Sequence, residues 1–171
     1  MAGTLITQNI QGPSSGANAN KILIPSGQTL YAPGHVLQVV QGTKDAGMNW
    51  TSSTSFIDTE LSVSITPTTT SSKILIIHSG NFNQETSSSW TDLTLYRDIS
   101  STLTNLGNTN GFNGIYSGSA THTPSSINYL DSPSTTSTVV YRIYIKSRQS
   151  GNSRFNPDAH RATLIAMEIA G

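Results

Sequence analysis

Thr138 to Ser147, TVVYRIYIKS, alternates as a β-strand must, because successive side chains leave the backbone on opposite sides. Val139, Tyr141, Ile143 and Ile145 fall on one face, predicted to enter a core; Val140, Arg142, Tyr144 and Lys146 fall on the other. Ile127 to Leu130 is a short apolar run, predicted to be the neighbouring strand across a turn at Asp131-Ser132-Pro133-Ser134. Further strands are expected at His35–Gln41 and at Leu61–Thr66, with Leu61, Val63 and Ile65 inward. Lys73–His78 (KILIIH) is nearly continuously apolar, the mark of a central strand covered on both faces. Asp92–Arg97 turns Leu93 and Leu95 inward, and Ala162–Ile169 closes the chain. Gly42–Ser55, Asn83–Ser89 and Gln149–His160 read as loops, and Ser100–Ser126 as a long polar stretch with one or two irregular edge strands. Roughly seven or eight strands without helix signals predict an all-β, antiparallel two-sheet sandwich of jelly-roll type, its closing strand in the middle of a sheet.

Upstream of this body the pattern changes. Met1 to about Asn20 has no sustained period and is rich in Gly, Asn and Ser. Lys21–Tyr31 (KILIPSGQTLY) reads as a short hairpin turning at Pro25-Ser26-Gly27, and Ala32-Pro33-Gly34 breaks the chain. Residues 1–34 are therefore expected to form an N-terminal arm with a short hairpin, and 35–171 the sandwich. A lone hairpin is marginal in water, so the arm needs a partner. Its candidate anchoring residues are Leu5, Ile6, Ile10, Ile22, Leu23, Ile24, Leu30 and Tyr31.

Composition narrows the class. Of 171 residues only 11% are charged, and Ser and Thr make up roughly 29%. Thr suits strands and Ser suits turns, so the bias fits a β protein with a neutral polar surface. A formal net charge of +0 argues against binding nucleic acid by phosphate attraction and leaves little repulsion between copies. Without cysteine there is neither a disulfide framework nor a thiolate metal site. No apolar run reaches membrane-span length, and the N-terminus lacks a basic and apolar signal. The chain is expected to be made in a host cytoplasm and to stay soluble, as a virion component would.

LSVSITPTTTSSKILIIHSGNF (Leu61–Phe82), TLYRD (Thr94–Asp98), INYLDSPSTTSTVVYRIYIKS and the ending ATLIAMEIAG together resemble the β-rich domains of tailed-phage virion proteins, of the tail-fibre or head-decoration kind. Such domains are frequent in phages of aquatic bacteria, cyanophages among them. The resemblance spans about Leu37 to Gly171, with YLDSPSTTS and IAMEIA its most specific parts. It implies a homotrimeric jelly roll like that of the tumour-necrosis-factor superfamily, mounted on a particle by its N-terminus. A long repetitive shaft, usual in fibres, has no counterpart in the roughly thirty residues before the body, which suits a short fibre or capsid-decoration protein equally well.

Candidate chemistry is sparse. His35, His78, His122 and His160 form no metal-ligand pair, and His78 is expected to be a satisfied residue at the end of its strand. Asn156-Pro157-Asp158-Ala159-His160 has too few oxygen ligands for a calcium loop. No G-x-S-x-G occurs, and nothing singles out Glu60, Glu85 or Glu168 as a hydrolase pair. No enzyme activity, metal or cofactor is expected. Arg142, Lys146, Arg148, Arg154 and Arg161 form either a solvated face or a patch for an acidic glycan or capsid surface. Trp50, Trp90, Phe112 and Tyr116 read as loop aromatics, which either plug the sandwich end or stack on host glycans. The expected partners are further copies in a homotrimer, contacting through Val140, Arg142, Tyr144 and Lys146, other virion proteins of capsid, neck or tail, and host surface glycan. Nucleic acid and membrane are not expected partners.

Overall fold

The computed structural model describes residues 10–17, 19, 23, 24, 26, 32–48, 50–85, 89–149 and 151–171. The chain divides into two compact units, 1–32 and 33–171. In the first, Ile10, Leu23 and Ile24 are exposed, and the Ala19 N–H donates to the Gly16 carbonyl at 3.0 Å. Leu5, Ile6, Ile22, Leu30 and Tyr31, and with them the proposed hairpin, lie outside the described residues.

Among the described residues the second unit holds ten strands: β1 (Val36–Lys44), β2 (Ile57–Ile65), β3 (Lys73–Gln84), β4 (Ser89–Ile99), β5 (Thr102–Asn105), β6 (Asn113–Ser117), β7 (Thr121–Asp131), β8 (Val139–Ser147), β9 (Ser153–Phe155) and β10 (Ala162–Ile169). Sheet A runs β1-β10-β3-β7, with β9 also on β3; sheet B runs β2-β8-β4-β5, with β6 also on β4. All pairs are antiparallel, and they nest: β1 with β10, β2 with β8, β3 with β7, and β4 with β5 and β6. A long hairpin folded over on itself produces this order, which is the jelly roll. The closing strand β10 lies inside sheet A, between β1 and β3.

The core follows the period-2 pattern. Leu61, Val63 and Ile65 of β2, Leu93 and Leu95 of β4, and Val139, Tyr141, Ile143 and Ile145 of β8 meet Ile74, Ile76, Phe82, Ile127, Leu164 and Ala166 of sheet A. Two details shape the roll. Between Asp58 and Ser62 the β2–β8 register slips by two residues, with Glu60 at φ 66° and its N–H on Asp58 Oδ1 (2.7 Å). Buried Thr59 fills the bulge by donating to the Ile143 carbonyl at 2.7 Å. At Gly42, β1 passes so close to β2 that a Cβ would overlap the Ser62 carbonyl.

Four expectations need correction. β7 does not neighbour β8: it pairs with β3 in sheet A, while β8 is in sheet B, so Ser132–Thr138 crosses between layers. β7 is also eleven residues long, because backbone pairing to β3 carries it back through polar residues to Thr121. β3 continues past His78 to Gln84, shortening the expected loop. Its second face is only half covered, since Leu75 and Ile77 have no layer of this unit above them.

Candidate functional site

The outer face of sheet B carries the predicted β8 residues. Along β8, Val140 lies opposite Asp98 and Ser64, Arg142 opposite Tyr96 and Ser62, Tyr144 opposite Thr94 and Asp58, and Lys146 opposite Asp92. Asp92, fully buried, accepts from Arg148 through both oxygens (Nε to Oδ2 2.7 Å, Nη2 to Oδ1 2.8 Å), with Lys146 Nζ 3.8 Å away. Lys146 also donates to the Thr109 carbonyl at 2.7 Å and sits 4.6 Å over the Phe56 ring. Arg142 donates to Asp58 at 3.2 Å, and the Tyr96 and Tyr144 rings are 4.2 Å apart. Burial, then the Asp58 charge, raises the Tyr144 hydroxyl above its ordinary value, and the hydrogen bond to Asp92 does the same for Arg148.

The aromatic candidates separate. Trp90 and Tyr116 are not in loops but on paired strands β4 and β6, with rings 5.3 Å apart; the pairing was missed because β6 (NGIYS) is short and polar. The Arg148 guanidinium lies 4.3 Å over Trp90, occupying one ring face. Tyr116 is 52% exposed. Trp50 is in the β1–β2 loop, exposed, with Arg154 5.6 Å from its ring. Phe112 packs edge-on to Tyr129 at 5.2 Å and against the core. Arg154 donates to the Met48 carbonyl (2.7 Å) and Arg161 pairs with Asp45 through two 2.8 Å bonds. All five basic residues of the last third therefore hold an acceptor within this unit.

The outer face of sheet A is of another kind. Its rungs, read across β1, β10, β3 and β7, are Val39–Met167–Leu75–Leu130, then Gln41–Ile165–Ile77–Asn128, then Thr43–Thr163–Ser79–Ser126, with Val36–Ile169–Lys73 at the opposite end. Eight aliphatic or Met side chains thus lie together outside the core. Val39 is 55% and Leu130 50% exposed, and the four on β10 and β3 nearest them are half-buried. This surface was not anticipated. Its signal was present: β3 and β10 are apolar at both odd and even positions.

Buried polar groups serve the fold. Glu168 accepts from Gln38 (2.6 Å), Ser72 (2.6 Å), and the Thr68 N–H (2.6 Å) and hydroxyl (2.7 Å), tying β1, β10 and the β2–β3 turn. Burial alone would raise its carboxyl; these donors outweigh that and hold it below its usual value. Asp131 bridges the layers, accepting from Arg97 (2.9 and 3.1 Å) and from the Tyr141 hydroxyl (2.7 Å), which burial and this bond raise strongly. His78 is no strand end: it is buried in mid-strand, between the Thr163 carbonyl (3.0 Å) and Ser125 Oγ (3.1 Å), and burial pushes it down to about 4.

A small open cleft of about 180 Å³ lies at the polar end of sheet A, lined by Ser79, Asn81, Pro124, Asn156, His160 and Arg161. Here Asn156, at φ 49°, donates to the Lys44, Ala46 and His160 carbonyls, so the Asn156–His160 turn works as a loop clamp. His122 pairs with Asp158 at 2.7 Å. Among the described residues no three His, Asp or Glu groups converge to hold a metal.

No protein-family model and no curated protein matches the sequence. Solved structures similar to the chain include the infectious bursal disease virus VP2 subviral particle, with TM-score 0.48 and 14% identity over 93% of this chain and 41% of that one. Infectious bursal disease virus of the Gt strain follows at 0.45 and 14%, over 94% and 43%. The Gx strain stands at 0.41 and 14%, over 92% and 42%. The chain spans under half the length of these viral proteins, and at such identity and TM-score the likeness carries no functional weight.

Proposed function

We propose that the chain is a non-enzymatic structural protein of a virus particle, a short fibre or capsid-decoration protein of tailed-phage type. The arm (1–34) docks on capsid, neck or tail, and the jelly roll assembles with copies of itself, as a homotrimer, and faces outward. One observation carries the assembly role: β3 and β10 are apolar on both faces, while sheet B covers only one of them. Contiguous exposed apolar surface of this kind marks a protein contact rather than a site of chemistry. The sequence resemblance supplies the particle. Size-exclusion chromatography with light scattering tests the assembly role: a stable trimer at micromolar concentration is expected, and a monomer overturns it. Deleting residues 1–20 is expected to abolish incorporation into particles while leaving the body folded; undiminished incorporation overturns the anchoring role.

A second reading, a lectin-like receptor-binding module, is favoured by the exposure of Tyr116 and Trp50. It predicts saturable binding to host polysaccharide that Tyr116→Ala or Trp50→Ala removes, and binding unchanged by both substitutions refutes it.

A further inference from the structure

We infer that the outer face of sheet A, centred on the Val39–Met167–Leu75–Leu130 rung, is the surface on which a second copy of this chain seats, and that the outer face of β8 is not. The inference rests on the assembly reading above and deepens it by naming the occupant of that face and the rung on which it centres.

Three properties of the face point to a like partner. The first is its chemistry. The Val39 and Ile165–Ile77 rungs contain no ionisable group, and Lys73 at the far end is the one charge on the four rungs. A charged partner would find only Lys73 to pair with, at one end, whereas a copy of the same face matches the remaining apolar rungs apolar to apolar. With a formal net charge of +0, two copies also approach without long-range repulsion. The second is shape: the rungs belong to a continuous four-stranded sheet, a broad surface that copies of the chain turned toward a common axis would cover for one another. The third is area. Four strands about 4.8 Å apart, with outward side chains recurring about every 6.8 Å, give each side chain about 33 Å² and the eight apolar ones a centre of roughly 260 Å². A stable interface buries about 800 Å² per partner, with an apolar middle and a polar rim. Gln41, Thr43, Asn128, Thr163, Ser79 and Ser126 supply a neutral rim of that kind beside the apolar rungs.

The β8 face lacks this profile. Arg142, Lys146 and Arg148 already hold Asp58 and Asp92, so a neighbour there would have to break or bury satisfied ion pairs.

The test uses the full chain and compares Met167→Glu and Leu75→Glu with Arg142→Ala by light scattering over a concentration series, with circular dichroism as the check on folding. Both face substitutions are expected to weaken association at least about 30-fold while Arg142→Ala leaves it unchanged. An oligomer unaffected by the face substitutions overturns this surface but keeps the assembly reading, whereas a monomeric wild-type chain overturns both. Should the half-buried positions fail to fold, Val39→Glu and Leu130→Glu, at the two exposed ends of the rung, replace them. As the sequence has no cysteine, Leu130→Cys and Val39→Cys with a bis-maleimide give an independent readout. Dimer bands are expected from these and none from a cysteine at Ser64 on sheet B; the reverse pattern overturns the proposal. Phosphatidylcholine vesicles cover the alternative of a lipid surface: co-sedimentation lost in Met167→Glu would overturn the second copy in favour of lipid.

Discussion

The two outer faces of this sandwich are built on the same backbone pattern and finished in opposite ways. Sheet B presents Arg142, Tyr144, Lys146, Trp90 and Tyr96, each stacked on or paired with a neighbour of the same sheet. Sheet A presents Val39, Leu75, Ile77, Leu130, Ile165 and Met167, which lie side by side in register and are half-buried or exposed. A face that satisfies its polar groups internally has little to gain from a partner. A face that leaves methyl and methylene groups in water gains about 25 cal/mol for each Å² that a partner covers. The charged strand was the expected contact surface, yet the strands that looked purely internal present the unfinished one.

The largest contrast is in single-chain stability. Asp92→Ala on sheet B should cost about 3 kcal/mol in urea unfolding, because it strands Arg148 and Lys146 beside a cavity. A cost below about 0.5 kcal/mol would make the ladder an ordinary set of surface pairs. Acid separates folding from association next. The His78 value falls from 6.5 in the unfolded chain to about 4 in the folded one, so between these the unfolded chain binds the extra proton. Stability is full above pH 6.5 and falls as pH drops toward 4, by about 2 kcal/mol between pH 8 and 5, readable by urea titration at each pH. Glu168, held below 4.5, adds a further loss at lower pH as it protonates. Association of the chains that remain folded should not follow this curve, since the apolar rungs carry no titrating group; a parallel pH dependence would mean that contact is made elsewhere. Next in size, Leu75→Ser should cost the isolated chain under about 1.5 kcal/mol, the side chain being half-exposed, and yet dissociate the oligomer. Smallest is the response to salt. Raising sodium chloride from 0.05 to 0.5 M should change the association constant less than about twofold, whereas a contact through paired charges would weaken markedly.

Strand existence was largely legible. Every inward residue assigned on β2, β4 and β8 is in the core, because a strand with one covered face must alternate. The β4–β5 hairpin was not, for a local reason: its two-residue turn is Ser100-Ser101, at φ 51° and 66°, instead of the Asn-Gly or Asp-Gly that announces such a turn. β6 and the first half of β7 were hidden because Asn, Gly, Ser and Thr dominate them, and their place in the sheets comes from backbone pairing rather than side-chain burial. At the candidate site, the β8 residues were assigned to the correct face, but their partners Asp58 and Asp92 lie on strands far away in sequence.

The period-2 pattern in TVVYRIYIKS, LSVSI and DLTLY was enough to choose an all-β sandwich and to sort inside from outside on half-covered strands, since that choice is made residue by residue along one strand. Which strand lies beside which is a choice among long-range pairings, and it depends on packing that no local pattern records. That is why Asp131 proved to be an inter-sheet bridge rather than a turn residue, and why β7 and β8, adjacent in the chain, belong to different layers. It is also why KILIIH and ATLIAMEI announced burial on both faces without saying by what. Sheet B covers one of those faces, the outward residues of the other are half-buried, and only once the strands are laid side by side do those outward residues merge into one surface.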